Sequence, residues 1–214
     1  MQAQKKDYGS RFEPNQYTFM DKNPQAVDAD NLPLAYAMRV AKTPEHAVAK
    51  IKKNGVYAAY SWKELHERVL FVCEYLSQLK LNRGDRVCIF AQSRLEWLIT
   101  DLAIMSSGYV TVPIYHSSSA EDISFILQNC EAKAVFAEDA KTVERLETAF
   151  KKSGATIPVV TFDKSDNNSV VFFGALPKPK DMAQTVQRFK ESTDRCTPED
   201  MATIVYTSGT TGIP

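Results

Sequence analysis

Neither sign of charge is in excess in this chain: 26 lysines and arginines stand against 26 aspartates and glutamates in 214 residues. A nucleic-acid-binding surface resting on a basic surplus is therefore not expected. No apolar run approaches the length needed to cross a bilayer. The N-terminus, Met1-Gln2-Ala3-Gln4-Lys5-Lys6-Asp7, has no apolar stretch behind it, as a secretory signal would. Cys73, Cys88, Cys130 and Cys196 form no C-x-x-C pair, and the first three lie in apolar runs. Reduced, buried thiols in a cytoplasmic protein are the expectation, rather than disulfides. The three histidines, His46, His66 and His116, have no ligand spacing, so no zinc site is expected. His66 is placed on a helix surface and His116 in a Ser-rich turn, each as a solvated or structural residue. With 44% hydrophobic residues, what remains is a soluble globular chain long enough to bury a sizeable core.

What is there alternates. The first thirty residues are polar and irregular and are expected to lie as an extended arm, followed by a helix around Leu34 to Ala41 that stops near Thr43-Pro44. Residues 1–45 are thus read as arm and helix, and 46–214 as the body. Ala47 to Ile51 and Val56 to Tyr60 flank Lys52-Lys53-Asn54-Gly55, a hairpin signal because Asn and Gly tolerate positive φ. Ser61 and Glu64 make a capping box for a helix carrying Leu65, Val69, Val72, Leu76 and Leu79 at helical spacing. A turn at Asn82-Arg83-Gly84-Asp85 leads to a buried strand, Arg86 to Ala91. Ser93 and Glu96 offer a second capping box for a helix ended by Gly108, before a strand from Tyr109 to Ile114. Pro113 marks that strand as an edge or a strand end.

The alternation continues with a helix from Ser119 and Asp122, a strand at Lys133 to Ala137 and a helix at Asp139 to Lys152. A strand at Ile157 to Phe162, a polar loop and a connector around Pro177-Lys178-Pro179-Lys180 lead to a polar helix ending near Arg195. A last strand, Met201 to Thr207, closes the series. The fold class is α/β, with largely parallel sheets flanked by helices and an early β-hairpin.

That last strand opens into Tyr206-Thr207-Ser208-Gly209-Thr210-Thr211-Gly212-Ile213-Pro214. Glycines let the backbone turn sharply and approach a ligand closely. Consecutive amide N–H groups form an anion-binding concavity, to which hydroxyls add hydrogen bonds. The Walker pattern, G-x-x-x-x-G-K-[ST], is missing. A lone Ser-Gly-Thr would be an ordinary turn; the full string after an apolar run reads as a strand opening into a polyanion cradle.

The string resembles the signature loop of the adenylate-forming superfamily, which contains acyl-CoA synthetases, luciferases and peptide-synthetase adenylation domains. The family pattern usually continues Pro-Lys-Gly, and Pro214 is followed by neither. Four earlier segments resemble the same family in order. They are Tyr60-Ser61-Trp62-Lys63-Glu64-Leu65, Arg83-Gly84-Asp85-Arg86-Val87, Ser93-Arg94-Leu95-Glu96-Trp97, and Gly108-Tyr109-Val110-Thr111-Val112-Pro113-Ile114-Tyr115, the last similar to the long-chain branch. Trp62, Glu64 and Trp97 are read there as cap and packing residues.

The resemblance implies the first part of an acyl-CoA synthetase-like large domain in a long-chain fatty acid–CoA ligase, and a chain expected to continue beyond Pro214. It implies ATP-dependent formation of an acyl-adenylate, then displacement of AMP by the thiol of coenzyme A. Thr207, Ser208, Gly209, Thr210, Thr211 and Gly212 would wrap the β- and γ-phosphates of ATP, with magnesium bridging the phosphate oxygens. No general base, covalent nucleophile or protein metal ligand is assigned. Fatty acid, ATP and CoA are the implied partners, and peripheral membrane contact stays open because long-chain acids partition into bilayers. An adenylation domain loading a carrier-protein thiol, or a truncated non-catalytic binding protein, are the alternatives.

Overall fold

A computed structural model describes residues 28–154 and 156–207. The expected arm lies almost wholly outside the described residues.

Helix α1, Leu32–Lys42, starts where the Asn31 side chain accepts from the Leu34 amide, with Pro33 in the first turn. Strands β1, Ala47–Lys53, and β2, Val56–Ser61, pair antiparallel. Asn54 at φ 50° and Gly55 at φ 82° make the turn between them, as the sequence predicts.

Helix α2, Trp62–Gln78, opens on the expected box: Ser61 Oγ accepts from the Glu64 amide, and the Glu64 carboxylate accepts from the Ser61 amide at 2.7 Å. That hydrogen bond and the Ser61 hydroxyl hold the Glu64 carboxyl below its usual range. Replacing Ser61 by Ala is expected to cost about 1 kcal/mol of unfolding free energy. Urea titration checks it; an unchanged midpoint would mean the cap contributes nothing.

The body is one five-stranded parallel sheet. Its strands are β3, Arg86–Phe90, β4, Val110–Ile114, β5, Ala134–Ala137, β6, Val159–Thr161, and β7, Val171–Phe172, in the order β4-β3-β5-β6-β7. Between them run α3, Leu95–Ser106, α4, Ala120–Asn129, and α5, Ala140–Ser153, and α6, Met182–Asp194, follows. Alternate strand residues face opposite layers. Val87, Ile89, Phe136 and Val160 pack against α1, α2, α3 and α6; Cys88, Phe90, Val112, Ile114 and Val135 pack against α4 and α5. The α/β class and the hairpin stand as read.

Three readings change. The box at Ser93 does not form: Arg94 is the N-cap residue, and its Nε donates to Glu96 at 2.7 Å, so Glu96 is taken by a guanidinium instead of the Ser93 amide. His66 is half-buried rather than on the surface, because α1 and α6 fold over that side of α2. Its Nδ1 lies 2.7 Å from the Tyr36 hydroxyl, and its ring lies 4.9 Å from that of Phe189.

The last strand shrinks to a single bridge. Thr111 N–H donates to the Ala202 carbonyl and Ile204 N–H to the Thr111 carbonyl, each at 3.0 Å, pairing Thr203 with Thr111 in parallel. The cause lies in β4. Outward-facing positions alternate, so the next N–H to pair would belong to residue 113, and proline has none. The edge position predicted from Pro113 is the one it occupies on the inherent sheet order. Among the described residues no helix is long and apolar enough to cross a membrane.

Candidate functional site

The order β4-β3-β5-β6-β7 reverses direction once. The chain leaves β3 through α3 toward one layer and leaves β5 through α5 toward the other, so the switch point falls between the carboxyl ends of β3 and β5. Open α/β sheets take ligands at such crevices. Here the crevice is closed by ion pairs. Arg94 donates to Glu96 at 2.7 Å and to Asp163 at 2.9 Å, and lies 3.9 Å from Glu138. The Gln92 amide donates to Glu138 at 3.0 Å, and His116 Nε2 lies 3.8 Å from the same carboxyl group. One guanidinium against three carboxylates repels a polyphosphate. Sequence reasoning missed Glu138 and Asp163, whose only signal is their position directly after buried strands.

The segment that leads into the Thr/Ser/Gly string lies elsewhere, beside β4. Thr203 pairs in parallel with Thr111 of β4 at the edge of the sheet. Ala202, Ile204 and Tyr206 turn inward while Thr203, Val205 and Thr207 stay exposed. Tyr206 is held twice: its hydroxyl donates to Asn129 Oδ1 at 2.5 Å, and its ring meets Phe125 edge-on at 6.2 Å between centroids. Both partners belong to α4. Thr207, the first residue assigned to phosphate, follows at once and is exposed. Ser208, Gly209, Thr210, Thr211 and Gly212 lie outside the described residues. Neither Asn129 nor Phe125 carries a sequence signal for this role, since each reads as an ordinary helix position.

The approach to that segment is fixed upstream. The Thr197 amide donates to Asp200 Oδ2 at 2.7 Å, and Arg83 donates to the same oxygen at 2.5 Å. These contacts hold the Asp200 carboxyl below its usual range. Arg83 belongs to the turn before β3, where the Gly84 amide donates to the Gly108 carbonyl at 2.8 Å. Gly108 sits at φ 78°, and a Cβ there would stand 2.6 Å from Arg83 Nη1. Glycine at 108 thus serves both the left-handed helix end and the close passage of the arginine. A cleft of about 830 Å³ lies at the amino-terminal ends of β3 and β4, walled by Leu32, Arg86, Cys130, Met201 and Tyr206. Among the described residues no cluster of His, Cys, Asp or Glu has the make-up to hold a metal ion.

Comparison with known proteins identifies the family and the fold. The family model described as AMP-binding enzyme matches residues 36–214. The long-chain-fatty-acid–CoA ligase FadD15 of Mycobacterium bovis is 31% identical over 174 residues, covering 80% of this chain and 28% of that protein. Fatty acyl-CoA synthetase A of Dictyostelium discoideum is 32% identical over 171 residues, covering 76% of this chain and 25% of the other. Among solved structures, the fatty acyl-adenylate ligase from L. pneumophila, in complex with acyl adenylate and pyrophosphate, superimposes with a TM-score of 0.61. It is 16% identical, over 87% of this chain and 30% of that one, and shows the shared fold. The chain spans about a quarter of the length of the curated relatives it matches. By the family match and the relatives' identity, this chain belongs to the AMP-binding enzyme family.

Proposed function

We propose that this chain forms part of a long-chain fatty acid–CoA ligase. The activity would join a fatty acid to ATP as acyl-adenylate with release of pyrophosphate, then pass the acyl group to the thiol of CoA with release of AMP. One observation supports the reading: the family model described as AMP-binding enzyme matches residues 36–214, and the segment that leads into the Thr/Ser/Gly string is held by Tyr206 against α4.

Attack of the carboxylate on the α-phosphorus places charge on the departing pyrophosphate, so donors held around its oxygens lower the barrier. The hydroxyls of Thr207, Ser208, Thr210 and Thr211 and the backbone at Gly209 and Gly212 are the donor set proposed for the β- and γ-phosphates. That set suits phosphate oxygens, as the acid-rich crevice at Glu138 does not. Magnesium would neutralise part of the phosphate charge, and its ligands are not assigned to any described residue. Cytoplasmic placement, with peripheral contact to the bilayers into which long-chain acids partition, belongs to the same proposal.

The test is a chimera in which residues 36–214 replace the matching segment of the Mycobacterium bovis relative. We expect ATP–pyrophosphate exchange that requires a long-chain acid, followed by thioester formation on added CoA. The isolated 214-residue chain is expected to give no exchange. A folded chimera that exchanges without acid, or not at all, would overturn the reading. Transfer to a carrier-protein thiol and not to CoA would redirect it to the other acceptor.

A further inference from the structure

The hairpin of β1 and β2 has a basic and apolar tip. Ala49 and Ile51 of β1 and Tyr60 of β2 pack against the body, so the residues alternating with them face outward. On that outer face Lys50 pairs across the strands with Ala59, and Lys52 with Tyr57. The body covers the hairpin only near its base, and every residue of β2 from Val56 to Ala59 is exposed. Val56 is 70% exposed and Tyr57 64%, the two highest values among the large apolar side chains described. Among the described residues neither Lys50 nor Lys52 is in an ion pair, and Lys52 Nζ lies 5.7 Å from the centre of the Tyr57 ring. No aspartate or glutamate occurs between Glu45 and Glu64, a stretch that holds Lys50, Lys52, Lys53 and Lys63. Lys63 pairs with Glu45 at 3.9 Å, and Glu45, Glu64 and Glu67 gather beside Ala47 and Ser61 at the base, away from the tip. Lysines alone would do no more than keep the open edges of a two-stranded sheet from pairing. An aliphatic and a tyrosyl side chain set among them suit a layer that is apolar within and anionic outside.

We propose that the tip of this hairpin is the surface by which the chain sits on an anionic bilayer. Val56 and the Tyr57 ring enter the boundary between headgroups and acyl chains, where a tyrosine keeps its ring in apolar surroundings and its hydroxyl in water. Lys50 and Lys52 meet the anionic groups of the lipid heads, their carbon stems lying along the interface. Acidic and basic residues balance over the chain, 26 against 26, so attraction to such a surface comes from this local excess and not from net charge. Apolar burial and charge attraction add in contacts of this kind, and salt weakens only the second. The proposal deepens the ligase reading, on which its purpose rests: the hairpin would hold the chain at the layer where long-chain acids dissolve. The contact with the bilayer does not itself require that reading.

The test is co-sedimentation of the purified chain, without ATP, acid or CoA, with vesicles of phosphatidylcholine and phosphatidylserine in equal parts, beside vesicles of phosphatidylcholine alone. We expect binding to the mixed vesicles that weakens with added salt, and little to phosphatidylcholine alone. Lys50→Glu with Lys52→Glu is expected to lower the partition coefficient at least about tenfold. Val56→Ser with Tyr57→Ser should lower it by about tenfold through lost apolar burial. All four side chains are exposed, so both variants should keep the urea midpoint of the wild-type chain. Lys141→Glu with Lys151→Glu, at exposed positions of α5, changes the net charge by the same amount and should bind as the wild-type chain does. An equal loss in that α5 variant, undiminished binding in the hairpin variants, or no binding to either vesicle overturns the proposal. So does a wild-type chain that dimerises or retains polyuridylic acid through these four residues while leaving vesicles in solution, since the face then belongs to another occupant. Vesicle binding by a chain whose chimera forms no acyl-adenylate sinks the ligase reading and leaves this surface standing; exchange without vesicle binding does the reverse.

Discussion

Replacing Phe136 by Ala is expected to remove about 3–5 kcal/mol of unfolding free energy, the range found for deleting a large buried ring. Phe136 is fully buried in β5, the central strand of the sheet. Its ring meets Tyr75 of α2 at 6.4 Å, Phe162 at 6.2 Å and Phe173 at 6.5 Å. It therefore links the sheet to α2 and to the segments on either side of β7. Domains of this size have only about 5–15 kcal/mol in hand, so a large share of the total would go. A Phe136→Leu variant keeps most of the volume and should lose less than about 1.5 kcal/mol. Val56→Ala, at an exposed position beside the hairpin turn, should stay within about 0.5 kcal/mol. Urea unfolding of the three variants separates these cases. A cost below about 1 kcal/mol for Phe136→Ala would mean that β5 does not lie at the centre of the core.

The ease with which this fold is read from sequence depends on how local each signal is. Asn54-Gly55 and the boxes at Ser61/Glu64 and Ser119/Asp122 are decided within four residues, and all three form. Ser93/Glu96 has the same spacing and fails, because Arg94 takes Glu96 and is itself tied to Asp163, 69 residues away. Helix ends at Lys80 and Glu131 adopt φ 53° and 50° without glycine or asparagine, so no residue type announced them.

The tail is the most instructive case. Its alternation of inward and outward residues is a strand pattern, and the structure keeps that alternation. What it loses is the hydrogen-bond ladder, through Pro113 on the neighbouring strand, 90 residues earlier in sequence than Thr203. The Thr/Ser/Gly string is read from its residue types and from the family resemblance, and beyond Thr207 it lies outside the described residues. The anchor at Tyr206 carries no sequence signal, since Asn129 and Phe125 acquire their role only once α4 packs beside the tail. The closing of the switch-point crevice was equally hidden, as Arg94, Glu138 and Asp163 come from three separate loops.

Lowering the pH from 7.5 to 4.5 is expected to cost the chain about 2.5 kcal/mol through His66 alone, from a folded pKa near 4 against 6.5. The cause is burial: the ring lies between Tyr36 and Phe189, at 5.6 and 4.9 Å, and takes the Tyr36 hydroxyl at Nδ1. Burial also pushes the Tyr36 hydroxyl upward, so it remains the donor and the imidazole the neutral acceptor. Above pH 6.5 the ring is neutral in both folded and unfolded chains, and stability is full. Between 6.5 and about 4 the unfolded chain binds a proton that the folded chain does not, so stability falls with pH; below about 4 both are protonated and the loss levels off. Glu64, Glu121, Asp122 and Asp200 all have carboxyls held below their usual ranges, so they lose their contribution only at more acidic pH. The two windows are separable. His66→Gln should be less stable at pH 7.5, through loss of the ring contacts, yet show little further loss down to pH 4.5. Should the variant lose as much stability as the wild-type chain over that interval, the titrating group lies elsewhere, and the clasp of α1 and α6 over α2 does not depend on a neutral imidazole.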